Sequence, residues 1–337
     1  MKAVILHGPG SVSVGEFPTP VPKAGEVRVR VAFCGICGSD FHKVAGKKNT
    51  HPVRYPVPLG HEIAGVVESV GEGVTTFRAG DRVTVDPNWS CGKCYYCKNG
   101  QSSFCENGRG VVKGMAEYVV SPEENVYRLP DGVSLRDAAL CEPLACCLRG
   151  MDLLGIRHGE RVALVGMGAI GAIVLQLMRL AGAGEVLVID ANEARRELAM
   201  KLGATQFFNA ADKETIAAYA KAHPVARVME CVGVGPAQET ALEVAGRGAT
   251  VVMFGVSDSA TKLPISLYDA FQKELTIKTS YVNPHTTDRA IRLLAAGLLH
   301  TDKLVAGELT MEEAVEEMLA PDLVRQGKVL VKITADT

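Results

Sequence analysis

The chain has 337 residues, of which 47% are hydrophobic and 22% charged, and a formal net charge of −2. That length predicts two domains, and the composition excludes a disordered chain. The near-neutral charge, with no long basic run, excludes an electrostatic nucleic-acid binder.

The N-terminal MKAVILHGPG carries an apolar stretch of four residues ending in His-Gly-Pro. It is too short for a signal peptide or a membrane span and predicts an edge strand entering a turn. With no export signal, the ten cysteines read as thiols and metal ligands of a soluble cytoplasmic protein, not as disulfides. EVRVRVAF then places Val27, Val29, Val31 and Phe33 on one face and Arg28 and Arg30 on the other, the period of a half-buried strand.

CGICGSDFH supplies Cys34, Cys37, Ser39, Asp40 and His42, and GHE supplies His61 and Glu62. Zinc takes four ligands from Cys, His and carboxylate, and a catalytic site leaves one position to water or substrate. Cys37, His61 and a glutamate would meet that need. Cys34 and Cys37 also form a C-x-x-C that would suit a redox pair. IAGVVESVG, DRVTV and AEYVV repeat the alternation between Gly and Pro breaks, so the chain to about Leu129 predicts an antiparallel, barrel-like β domain.

Inside that domain Cys91, Cys94, Cys97 and Cys105 follow the spacing C-x2-C-x2-C-x7-C. Four thiolates close a zinc tetrahedron and leave no position for chemistry; reactive thiols are the other reading of these residues. Further on, CEPLACC brings Glu142 beside Cys141, while Cys141, Cys146 and Cys147 read as small packed residues.

After about Leu148 strands and helices alternate. RVALVG, EVLVID, ARVMECVG, ATVVMFGV and LTIKTSYV read as strands, separated by helical segments such as AIGAIVLQLMRLAGA and EARRELAMKLGA. This alternation predicts a parallel, doubly wound sheet. The late strand GKVLVKI would rejoin the first domain. Gly166, Met167, Gly168, Ala169, Ile170 and Gly171 follow the first of these strands and open a helix, as a dinucleotide-binding turn requires. Asp190 closes the next strand, where an acid would accept hydrogen bonds from both ribose hydroxyls and repel a 2′-phosphate. NAD is therefore expected over NADP, with Arg195 and Arg196 as the complication, since a nearby arginine can bind that phosphate.

Cys37-Gly38-Ser39-Asp40-x-His42, Gly60-His61-Glu62, the Cys91–Cys105 cluster, Glu142-Pro143-Leu144 and the glycine turn together resemble the zinc-dependent medium-chain alcohol dehydrogenases. The likeness runs over essentially the whole chain and is greatest to the polyol (sorbitol, L-iditol or arabinitol) branch. It implies an α/β protein with a GroES-like β-barrel catalytic domain, residues 1–148 completed by 285–337, and a Rossmann coenzyme domain, residues 149–284. It implies a catalytic zinc on Cys37 and His61 with Glu62 or Glu142, and a structural zinc on the four-cysteine cluster. The activity it implies is oxidation of a secondary alcohol of a polyol to a ketose, with hydride passing to NAD. The metal would act as a Lewis acid, and Ser39 and His42 would relay the proton.

Three features depart from the family pattern. The run from Cys105 to the Ala-Glu-Tyr strand is short. Val282 stands where many polyol dehydrogenases carry an arginine, with Tyr281, Asn283 and His285 as nearby polar candidates. Lys47, Lys48, His51 and Arg54 gather near the expected substrate entrance and would suit a phosphate, so a sugar-alcohol phosphate is the rival substrate. A non-enzymatic NAD-binding sensor and a zinc-free reductase are the other readings. Relatives imply a homodimer or homotetramer joined through the nucleotide domain, a small-molecule substrate, and neither nucleic acid nor membrane as partner.

Overall fold

The computed structural model describes residues 1–47, 53–110 and 113–334. The chain forms two compact units, Met1–Cys146 with Val282–Thr337, and Cys147–Tyr281. The strands of the first are β1 (Lys2–Gly8), β2 (Ser11–Glu16), β3 (Glu26–Gly35), β4 (Val57–Pro58), β5 (Glu62–Val70), β6 (Arg82–Val85), β7 (Asn88–Trp89), β8 (Arg109–Gly110), β9 (Tyr118–Pro122) and β10 (Val126–Arg128). The second unit holds β11 (Arg161–Val165), β12 (Glu185–Asp190), β13 (Gln206–Asn209), β14 (Val225–Glu230), β15 (Ala245–Met253) and β16 (Thr276–Thr279). Two more, β17 (Val305–Leu309) and β18 (Lys328–Lys332), belong to the first unit again.

In the first unit the main sheet runs β10-β6-β5-β3-β18-β17, and β9 also pairs with β3. All its pairings are antiparallel except β17 with β18. The alternation read in β3 is present: Val27, Val29, Val31 and Phe33 are buried, and Arg28 and Arg30 are half-buried. It stops after Val31, where the register to β5 shifts, and the strand runs on fully buried from Val31 to Gly35. The helix Met311–Leu319 closes one side of this core with Met311, Ala314 and Met318. Its N-terminus is fixed by a reciprocal cap between Thr310 and Glu313.

The N-terminal strand differs from expectation. β1 is not an edge but the middle of a three-stranded sheet, between β2 and β4. Ala3, Val4, Ile5 and Leu6 are all buried. A strand apolar on successive residues is one covered on both faces, and that pattern already spoke against an edge.

The second unit is a six-stranded parallel sheet in the order β13-β12-β11-β14-β15-β16. Counted from β11, this is the 3-2-1-4-5-6 order of doubly wound nucleotide-binding sheets, with the reversal point between β11 and β14. Its central strands β11 and β12 are buried nearly throughout, so they read as continuous apolar runs.

Candidate active site and metal centres

The four-cysteine lobe is the simplest site. The thiols of Cys91, Cys94, Cys97 and Cys105 all lie within 4.8 Å of one another. Cys94 Sγ is 3.5 Å from Cys97 Sγ and 3.9 Å from Cys105 Sγ. A tetrahedron with zinc–sulfur bonds of about 2.3 Å has edges of about 3.8 Å, so the spacing fits zinc. The local chain prepares the set for charge: the Lys93 backbone N–H and the Asn107 amide push Cys91 down to about 6. Desolvation and the neighbouring sulfurs push Cys97 up to about 11, because crowded thiolates need a cation among them. All ten cysteines are free thiols.

The second centre is assembled from two stretches of chain. Cys37 precedes the short helix Gly38–Val44, His61 precedes β5 and Glu62 opens it. One donor atom from each of Cys37, His61 and Glu62 lies within 4.8 Å of the others. Asp40, fully buried, ties two of them together. Its Oδ2 accepts the Cys37 backbone N–H at 3.2 Å. Its Oδ1 accepts the Gly60 N–H at 3.3 Å and lies 3.7 Å from His61 Nδ1. A carboxylate on Nδ1 leaves Nε2 as the ligand atom. Burial works against the Asp40 charge, but His61 and Lys43 overcome it and hold the carboxyl well below the usual range. Burial likewise opposes a charged His61, yet Cys37 and Asp40 raise its basicity well above the ordinary value. Such a donor set favours a cation.

Two glycines make room. Gly60 has φ +86°, and a Cβ there would lie 2.6 Å from Cys34 Sγ and 2.7 Å from Met115. At Gly35 a Cβ would stand 1.9 Å from Glu62 Oε2, so only glycine leaves the carboxylate its place. Cys34 is buried beside Gly60 and Gly114, with its thiol pushed well up by burial, and lies outside the donor group. That environment suits an inert packed thiol better than a redox partner of Cys37.

Glu62 is 1% exposed and meets a residue that sequence reasoning passed over, the buried Lys328 of β18. The Lys328 ammonium straddles both Glu62 oxygens but donates in good geometry only to Oε1, leaving Oε2 without a hydrogen bond. A buried carboxylate oxygen that has an ion pair but no hydrogen bond, grouped with a thiol and an imidazole, keeps a lone pair for a metal. The residues present therefore fit zinc at both centres.

Glu142 lies in the first turn of the helix Cys141–Leu154 and is 8% exposed. It stands outside the group of three close donors. Burial pushes its carboxyl up to about 7, a rise that His61 and Lys328 oppose and the Glu62 charge assists. Ser39 and His42 lie three residues apart on the helix Gly38–Val44, both half-buried. Cys141 and Cys147 are buried, as packed residues should be.

The nucleotide turn lies at the C-terminal end of β11. Gly166 has φ +97°, and a Cβ on Gly171 would be 2.0 Å from the Gly166 carbonyl, which is the close helix–strand contact that position needs. Beside Gly168 only Arg195 comes within 4 Å of an added Cβ, leaving its backbone open to a pyrophosphate. Ala169 and Ile170, half-buried, begin the helix Ala169–Leu180. Asp190 Oδ2 accepts the Met167 N–H at 2.6 Å and Arg195 Nη1 at 2.9 Å, while Oδ1 accepts the Asn192 N–H at 2.7 Å. The acid thus arrives already paired with the arginine beside it. Arg196 is committed elsewhere, stacked on Phe207 and bonded to its carbonyl.

Of the residues in the Val282 segment, Asn283 is buried and accepts from the Asn88 amide at 2.6 Å, and His285 Nε2 lies 3.2 Å from Ser102 Oγ. Both have structural partners. Lys47 and Arg54 are exposed; Lys48 and His51 fall outside the described residues. No helix among the described residues is long and apolar enough to cross a membrane.

Comparison with known proteins agrees with this geometry. Residues 23–131 match the alcohol dehydrogenase GroES-like domain, and residues 169–296 match the zinc-binding dehydrogenase family. The chain is 31% identical to a sorbitol dehydrogenase of Halalkalibacterium halodurans, over 93% of this chain and 94% of that protein. A solved structure from Sinorhizobium meliloti 1021, bound to NADP, superposes with a TM-score of 0.92 at 36% identity, covering 98% of each chain. Galactitol-1-phosphate dehydrogenase from Escherichia coli does so with a TM-score of 0.89 at 29% identity, over 98% of this chain and 100% of that one. With a GroES-like barrel unit, a doubly wound parallel sheet and two zinc-compatible donor sets, the chain belongs to the zinc-binding alcohol dehydrogenase family.

Proposed function

We propose that this dehydrogenase oxidises a secondary hydroxyl of a sugar alcohol to a ketone, with NAD as hydride acceptor. Residues 1–148 and 285–337 form the catalytic domain in this reading, and 149–284 the coenzyme domain. The observation that carries it is the cluster of Cys37, His61 and Glu62 with a further buried carboxylate, Glu142, coupled to it electrostatically. Likeness to an enzyme named sorbitol dehydrogenase supports the substrate class.

Zinc supplies Lewis acidity toward the hydroxyl, and the nicotinamide supplies the hydride acceptor. Asp40 holds the His61 ring and the Cys37 backbone in register. Ser39 takes the hydroxyl proton, and His42, one turn further along the helix, passes it outward. Glu142 offers a buried carboxyl that orients the substrate hydroxyls. The glycine turn and the helix after it receive the pyrophosphate, and Asp190 the adenosine ribose.

Two specific observations support second readings. Arg195, beside Gly168 and bonded to Asp190, would suit the 2′-phosphate of NADP. Exposed Lys47 and Arg54 would suit a polyol phosphate. We place the enzyme in the cytoplasm as a homodimer or homotetramer, for β16 ends the parallel sheet and the helix before it exposes Leu267, Tyr268 and Phe271. Sedimentation of the purified protein tests the assembly.

The function is tested by following reduced-coenzyme formation with NAD and with NADP. The panel is sorbitol, xylitol, both arabinitols, galactitol and their phosphates. Turnover of free polyols with NAD is expected. Turnover of phosphates alone would move the specificity to Lys47 and Arg54, and a clear NADP preference would move the coenzyme assignment to Arg195.

A further inference from the structure

Lysine is almost never fully buried without a partner, yet Lys328 is 4% exposed at the head of an apolar strand. Its ammonium donates to the Ile36 carbonyl at 2.8 Å and to Glu62. Ile36 precedes Cys37, so one side chain, arriving from the far end of the chain, touches both ligand-bearing segments of the metal centre. β18 delivers it there by pairing with the end of β3, Leu330 opposite Gly35.

Stability is a weak explanation for this pair. Desolvating two charges consumes most of their attraction, and apolar replacements of buried ion pairs are often neutral or stabilising. A chemical explanation does better. Each anionic ligand lowers the electrophilicity of zinc, and a carboxylate fully committed to the metal lowers it further. A carboxylate shared with an ammonium donates less to the metal.

We propose that Lys328 is a positioning residue that competes with the zinc for Glu62, keeping that carboxylate a weak ligand and the metal electrophilic. The inference rests on the assignment of Cys37, His61 and Glu62 to the catalytic zinc.

The test uses zinc-loaded and cobalt-substituted full-length protein, as wild type, Lys328→Met and Lys328→Arg. Three quantities are read: metal affinity of the three-donor centre by chelator competition, the visible spectrum of the cobalt form, and kcat. Lys328→Met should hold the metal about tenfold more tightly, shift the cobalt bands and lower kcat at least tenfold, while Lys328→Arg stays near wild type. A folded Lys328→Met with wild-type affinity and spectrum, or with weaker metal binding, overturns the proposal. Should that variant fail to fold, Glu62→Gln is compared with Glu62→Gln/Lys328→Met. Equal metal affinity in the two supports action through Glu62, and a further change in the double variant overturns it. Wild-type protein that keeps only one zinc, resistant to Glu62→Gln, overturns the assignment of the centre itself and this inference with it.

Discussion

A Cβ at Gly35 would stand 1.9 Å from Glu62 Oε2, closer than any real contact, and the Gly35 backbone is fixed in β3 between two neighbouring strands. Gly35→Ala should therefore push the carboxylate off the metal centre and leave the cysteine lobe alone. The expected result is about 10- to 100-fold weaker binding of one zinc, seen as one metal lost early in a chelator titration and the other retained. Ser39 is a different kind of residue, a small half-buried hydroxyl on the helix Gly38–Val44 whose loss removes one oxygen, so its removal tests chemistry more than packing. Ser39→Ala should lower kcat roughly 10²–10⁴-fold with NAD binding unchanged by fluorescence titration. Unchanged turnover would remove Ser39 from the proton path.

At the scale of elements, the cysteine lobe is a short helix, Tyr95–Lys98, and a turn held by thiols instead of a core; the lobe buries none of the side chains of that helix. Metal binding there is coupled to folding. Cys97→Ser should release one zinc and lower the melting temperature before it lowers kcat measured at low temperature. Loss of activity with melting and zinc content intact would assign the lobe to catalysis. Elements such as this lobe and the parallel sheet were legible in the sequence because spacing or period alone carries them. The pattern C-x2-C-x2-C-x7-C fixes four donors on one loop, and strand–helix alternation fixes a parallel order. What was not legible depended on contacts between distant segments. Nothing in GKVLVK says that Lys328 faces Glu62, although a lysine on the same strand face as buried Leu330 is a signal that a counter-charge is required. Gly35 is likewise silent until β5 is laid beside β3. β1 was misjudged for the opposite reason: its continuous apolar run was local information, and four successive buried residues belong to a central strand.

At the scale of the whole molecule, several titrating groups in the interior of the described residues share one sign. Burial raises the carboxyls of Asp86 and Glu230 above their ordinary values and that of Glu142 to about 7, while Cys37 and Asp40 raise His61 against the pull of burial. Without metal, each of these groups binds protons more readily in the folded chain than in the unfolded one. These groups hold more protons in the folded chain between the ordinary carboxyl values near 4 and neutrality, and their contribution to stability falls as pH rises through that window. The part owed to Glu142 is fully present below its unfolded value of 4.5 and lost as pH passes about 7. Asp40 and Asp81 work in the other direction: their lowered carboxyls contribute stability above 3.8 that is lost only in stronger acid. Metal-stripped protein should accordingly melt at least about 3 °C higher at pH 5.5 than at pH 8, and Glu142→Gln should shrink that difference. Zinc would take the place of the proton as the cation beside His61 and near Glu142, so the loaded enzyme should show a flatter profile over the same range. Melting curves of stripped and loaded protein at the two pH values decide the matter. A stripped protein that gains stability with rising pH would mean that these buried groups are not the ones that control the folded charge.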